Sequence, residues 1–190
     1  TAYEIGVRLV GSGDVYKRQL INGSEKFSSI GNKKSAGTKL VCFDSFFKKP
    51  GVYEVEMGTP MKKVLNEIGG GFKEPIKALQ IGGPLGGVVP IAEAEKLNLD
   101  FQEFSDAGFM LGHASIVSIP KDFPMVEYIH HLFEFSAEES CGKCFPGRLG
   151  SYRGKEMFDQ AKNKTAKIPL KLLNELLITM KKGCLCALCG

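Results

Sequence analysis

The stretch Glu139–Gly150, ESCGKCFPGRLG, ties the C-terminal third of the chain to metal or redox chemistry. Its Cys141-x-x-Cys144 pair puts two thiols on one loop, which gives the acute bite that a tetrahedral metal or a cluster needs. One more step of the same spacing reaches Gly147 instead of a third cysteine. Three further cysteines, Cys184, Cys186 and Cys189, crowd the C-terminus. Spacing alone leaves zinc and iron–sulfur open, because a Cys-x-x-Cys pair facing a Cys-x-Cys-x-x-Cys group can satisfy either. A thioredoxin-like dithiol would need a surrounding sheet, and this pair lies between helical segments.

Working outward, periodicity changes on both sides of the motif. Residues 122–140 place Phe123, Val126, Ile129, Leu132 and Phe133 on one helical face, with Asp122 as the cap. Residues 148–162 read as a weaker helix, damaged by two glycines. Residues 168–183, IPLKLLNELLITMKKG, read as a strong helix that buries Leu172, Leu173, Leu176, Leu177 and Met180 and stops at Gly183. The cysteines therefore fall at two helix ends of an all-α bundle spanning 121–190, where free backbone N–H groups are available.

Upstream, residues 38–46 and 51–58 read as strands, as do 76–83, 86–91 and 113–120. Between them, TPMKKVLNEIGGG reads as a short helix capped by Thr59, with Pro60 at its first position and Val64, Leu65 and Ile68 buried. This is an α+β pattern over 38–120, with one helix covering a small mixed sheet. Residues 20–37, rich in Gly and Ser, read as a linker. Residues 1–19 have no apolar period and no pattern continuous with the segment after them. They read as an adaptor-derived artefact, which makes the remainder a fragment whose true start lies upstream of Leu20.

The other candidates are weaker. GGPLGG (82–87) lacks the G-x-G-x-x-G spacing and reads as a tight turn. His130 and His131 are helix neighbours that point apart, so no shared metal is expected of them, and nothing recommends His113. Cys42, in an apolar strand, reads as a small buried residue. The net charge of +4 is spread over mixed lysines and acids, which speaks against nucleic-acid binding. No apolar run reaches the roughly 18 residues of a membrane span, and no signal peptide is visible. Six cysteines in 190 residues then suggest a reducing compartment and not a disulfide framework.

ESCGKCFPGRLG resembles the ESCGKC-x-PCR-x-G signature of the NADH-binding flavoprotein (51 kDa-type) family of respiratory complex I. That family also holds the β subunits of NAD-dependent formate dehydrogenases and the diaphorase subunits of NAD-reducing hydrogenases. CLCALCG (184–190) resembles its second signature, SLCALGG. GTKLVCFDS, PGVYEVEMGTP, EIGGG and GGPLGG resemble its small ubiquitin-like β-grasp module of the SLBB type. The wording GGPLGG…GFMLGHASIV…FPMVEYIHHLFEF looks closest to the formate dehydrogenase branch.

The resemblance implies that Cys141, Cys144 and Cys186 ligate a [4Fe–4S] cluster that takes electrons one at a time from FMN reduced by NADH. FMN and NAD would sit in an N-terminal domain outside this chain. The implied partners are other subunits of a multi-subunit oxidoreductase, among them a thioredoxin-like [2Fe–2S] subunit and a larger iron–sulfur subunit. The implied location is cytoplasmic, peripheral at the inner face of the cell membrane. Gly147 stands where the family has its third cysteine, Cys184 where it has Ser, and Cys189 where it has Gly. Either these three mark sequence errors, or Cys184 or Cys189 replaces the ligand missing at Gly147. A separate expectation, from the residues alone, is a non-catalytic β-grasp module with a zinc-stapled helical bundle for subunit assembly.

Overall fold

The computed structural model describes residues 21, 23–84 and 86–190. The adaptor-like segment lies outside the described residues. The chain is mixed α/β and divides into two compact units between Ile119 and Pro120.

The first unit is built on a five-stranded sheet: β1 (Thr38–Phe43), β2 (Gly51–Glu56), β3 (Ile76–Ile81), β4 (Gly87–Pro90) and β5 (Ser115–Pro120), in the order β2-β1-β5-β3-β4. β1 pairs antiparallel with β2 and parallel with β5, and β3 pairs antiparallel with β4. Alternation along β1 sends Val41 and Phe43 into the core and leaves Cys42 exposed between them. The expected burial of Cys42 is thus corrected. An apolar neighbourhood in sequence does not choose the face, and the register pairing Cys42 with Val52, itself 64% exposed, puts both outward.

Among the described residues, this unit also holds the short helices α1 (Ser24–Ser28), α2 (Met61–Lys63, continuing as a π turn, Val64–Ile68), α3 (Ile91–Ala94) and α4 (Phe101–Asp106). In the π turn Gly69 N donates to Val64 O at 3.0 Å, five residues back. Gly69 is required there because a Cβ would lie 2.6 Å from the Phe47 ring. Thr59 does not cap this helix. Pro60 occupies the N-cap position, and the Thr59 hydroxyl donates to Glu56 O at 2.8 Å. The segment read as a linker carries α1, and α3 and α4 went unread because each is too short to show a period.

Phe47 is fully buried, with ring centres 4.5 Å from Phe43 and 4.6 Å from Phe72. Burial of a side chain this size contributes about 1.5–3 kcal/mol.

Asp100 ties the first unit together. It caps α4 by accepting from Glu103 N at 2.9 Å and accepts from Asn32 Nδ2 at 2.7 Å. Burial alone would raise its pKa. Hydrogen bonds from Asn32, the Glu103 N–H, Ser35 and the Gln102 N–H outweigh that and hold the carboxyl below its ordinary value of 3.8. A folded-state pKa below the unfolded one contributes stability that is complete above the ordinary carboxylate range and lost as pH falls through the folded value. Asp100→Ala should therefore lower stability at neutral pH by about 1–2 kcal/mol, the worth of a cap. It should also flatten the acid limb of a urea-denaturation series run from pH 7 to pH 2.

The second unit holds three helices: α5 (Met125–Glu139), α6 (Phe145–Lys162) and α7 (Leu170–Gly183). α5 starts after Pro124, so Asp122 is not its cap. Phe133 stacks on Phe158 at 5.6 Å, Lys155 Nζ pairs with Glu134 at 2.8 Å, and buried His130 brings Nε2 to 2.8 Å from Asp159 Oδ1, all joining α5 to α6. The two glycines read as damage in α6 are its closest contacts. A Cβ on Gly154 would lie 2.2 Å from the Phe133 ring, and one on Gly150 would lie 2.7 Å from Met180. In α7, Met180 is buried, Leu173 and Leu176 are half-buried, and Leu172 and Leu177 are 42% and 46% exposed. This corrects the expected five-residue buried stripe: a 3.6-residue period shows amphipathicity but not what covers the apolar face. Among the described residues no helix is long and apolar enough to cross a membrane.

Candidate metal centre

The Cys-x-x-Cys loop joins α5 to α6. Gly142 adopts φ +69°, a conformation that glycine enters without strain, and turns the chain between the two cysteines. Its N–H donates to Ser140 Oγ at 3.3 Å, and its carbonyl accepts from Arg148 Nη1 at 3.2 Å. The Arg148 guanidinium also lies 5.9 Å from the centre of the Phe145 ring. Cys144 is the N-cap of α6, with Pro146 in the first turn, and Arg148 N donates to its carbonyl at 3.0 Å. Ser140 and Arg148 fix this loop and were not singled out from sequence. The signal for Arg148 was a donor one turn after the cap.

The second cysteine group follows α7. Cys184 N donates to Met180 O at 2.9 Å, ending the helix, and Cys184 Sγ donates to Cys189 O at 3.3 Å, folding the last residues back. All six cysteines are free thiols. Cys141 and Cys186 are exposed, Cys144 and Cys184 half-buried, and Cys189 buried. The N–H groups of Leu185 and Gly147 point at the Cys144 thiol and hold its pKa below the ordinary value. Burial, with Cys144 as hydrogen-bond partner, pushes Cys184 up to about 11.

The two groups meet at Gly147. A Cβ built there would lie 2.8 Å from Cys144 Sγ, 3.2 Å from Cys189 Cβ and 3.4 Å from Cys189 Sγ. Gly147 is buried in α6, and the Cys144 sulfur and the Cys189 side chain already take up the space that a side chain there would need. Among the described residues no three His, Cys, Asp or Glu side chains are placed to hold one metal ion. A four-iron cluster asks for something different, four thiolates at separate corners of one body. Five thiols on two facing chain segments, with no disulfide among them, fit that donor chemistry.

The remaining candidates have other settings. Cys42 belongs to the first unit. His130 faces Asp159, His131 is exposed, and His113 Nδ1 accepts from Ser115 N at 3.3 Å. Gly86 N donates to Gly83 O at 2.8 Å, closing the glycine-rich turn. With the protein metal-free, a bulky maleimide should label Cys42, Cys141 and Cys186 well before Cys189. Peptide mass spectrometry after timed quenching checks the order, and early labelling of Cys189 would contradict its burial.

Residues 127–190 match the NADH-ubiquinone oxidoreductase-F iron-sulfur binding region. The chain is 33% identical over 172 residues to NADP-reducing hydrogenase subunit HndC of Solidesulfovibrio fructosivorans, covering 89% of this chain and 35% of that protein. It is 30% identical over 170 residues to the mitochondrial NADH-ubiquinone oxidoreductase 51 kDa subunit of Aspergillus niger, covering 87% of this chain and 34% of that one. Among solved structures, an NAD+-reducing [NiFe]-hydrogenase in the air-oxidized state superimposes with a TM-score of 0.76 at 25% identity, covering 87% of this chain and 28% of that chain. The chain spans about a third of the length of the curated relatives it matches. Residues 127–190 therefore form an NADH-ubiquinone oxidoreductase-F iron–sulfur binding region, of the 4Fe–4S type.

Proposed function

We propose that the chain is the electron-exit portion of an NADH-linked oxidoreductase subunit, in which Cys141, Cys144, Cys186 and one further thiol, Cys184 or Cys189, hold a [4Fe–4S] cluster. The approach of Cys144 and Cys189 at Gly147, with Cys184 hydrogen-bonded to both residues, carries this, within a segment matching an iron–sulfur binding region. When bound at these thiols, the cluster would supply one-electron chemistry, which suits a flavin donor that NADH reduces by two electrons. Both cofactors are assigned to the part of the subunit that this chain does not span.

The chain's own residues do the holding and the tuning. Gly142, Ser140 and Arg148 set the loop that aims Cys141 and Cys144. The Leu185 and Gly147 N–H groups donate to the Cys144 sulfur, the kind of hydrogen bond that raises a cluster's reduction potential by stabilising negative charge.

The first unit is assigned as a β-grasp domain of the SLBB type over residues 38–120, supported by its mixed sheet of order β2-β1-β5-β3-β4. Residues 121–190 are assigned as the helical iron–sulfur domain and 20–37 as the linker. The enzyme would be an NADH dehydrogenase (quinone) or an NAD-dependent formate dehydrogenase. Its partners would be a thioredoxin-like [2Fe–2S] subunit and a larger iron–sulfur subunit, and its place the cytoplasmic face of the membrane. Names of relatives support the oxidoreductase class.

Anaerobic reconstitution of the purified chain with ferrous iron and sulfide, followed by gel filtration, tests the proposal. A brown protein with broad visible absorption that bleaches on reduction is expected. A colourless chain that retains one zinc and no sulfide would instead support the assembly module.

A further inference from the structure

Five thiols stand in the second unit and a four-iron cube takes four. The structure assigns the fourth place to Cys189, with Cys184 as the positioning residue that holds it there. This inference rests on the cluster reading above and concerns which of this chain's own side chains completes the set.

The Cys-x-x-Cys spacing puts Cys141 and Cys144 ahead of α6, and one more step reaches Gly147, one turn into the helix. A third ligand would be sought at that position, and Gly147 offers no side chain. The sulfur of Cys189 stands beside that position. It lies 3.4 Å, and the Cys144 sulfur 2.8 Å, from the point where a Cβ of residue 147 would be, so both thiols flank one position. Cys189 reaches it because the chain after α7 folds back, and the room it uses is the room that Gly147 leaves. A cysteine at 147 and a cysteine at 189 would compete for this space; Gly147 with Cys189 does not.

Cys184 is disposed differently. It is not among the three atoms nearest that point, and its Sγ donates to Cys189 O at 3.3 Å. Cys184 thereby pins the turn that presents Cys189.

Reconstituting the full chain and three variants, then following iron release to a chelator together with sulfide content and the EPR of the reduced protein, tests the assignment. Cys189→Ala should speed iron loss at least about tenfold, since even groups outside the ligand shell carry roughly 10–100-fold in metal affinity. Cys184→Ser, which keeps a hydroxyl donor toward Cys189 O, should retain the parent's iron, sulfide and spectrum. Gly147→Cys combined with Cys189→Gly should restore retention, which separates ligand loss from misfolding. Equal retention by the parent and Cys189→Ala, or loss confined to Cys184→Ser, would overturn the assignment while leaving the cluster reading intact. A folded parent chain that takes up no iron with sulfide would overturn that reading and the assignment with it.

Discussion

Cys144→Ala should leave the chain without a cluster, with iron and sulfide after reconstitution near background and far-UV circular dichroism unchanged. Cys144 holds the centre of the arrangement. It caps α6, receives the N–H groups of Leu185 and Gly147, and hydrogen-bonds with Cys184. Its removal takes away a thiol proposed as a ligand and also the contact between the loop before α6 and the turn after α7. The side chain is only half-buried, so folding should lose no more than the roughly 1 kcal/mol of an N-cap contact. The contrast with Cys189→Ala is informative, because one change removes the shared anchor and the other a single corner. Parent-like iron content in Cys144→Ala would place the metal elsewhere.

Gly154→Leu should destabilise the second unit by about 3 kcal/mol or more, the upper range of core overpacking. By intrinsic propensity alone the change would stabilise α6 by about 1 kcal/mol. The two expectations differ in sign, and the contact decides between them: a Cβ at 154 would already lie 2.2 Å from the Phe133 ring, which is itself stacked on Phe158. Gly150→Ala should be much milder, because its neighbour is the flexible Met180 side chain. Thermal melts of the two variants check this. A higher melting temperature for Gly154→Leu would show that the glycine is a defect of the helix and not its contact surface.

The contrast at Gly154 also shows what the sequence makes legible. Cysteine spacing announced the chemistry of residues 139–189 because neighbouring thiolates on a loop have few other uses. The five strands were readable, with edges shifted by a few residues, because apolar runs bounded by glycine and proline leave little choice. Gly150 and Gly154 were misread because propensity counts local cost only and cannot see a helix packed against their bare faces. Cys42 was misread because alternation does not say which face is inside. Leu172 and Leu177 show a similar limit: the stripe is real as a pattern, yet the second unit covers only its edge.

The partnership of Gly147 with Cys189 was the least readable feature. The two lie 42 positions apart in the chain and meet only because α7 returns its C-terminal turn to the start of α6. Sequence offered Cys184 and Cys189 as equal substitutes, and only the geometry separates a sulfur beside Gly147 from one that donates to a carbonyl.

Iron and acid-labile sulfide determination on the anaerobically reconstituted chain, paired with EPR of the dithionite-reduced sample, tests the central claim most directly. The account predicts about four iron and about four sulfide per chain, with a reduced-state signal of a single spin-½ cluster. One zinc per chain, or iron without sulfide, would contradict it.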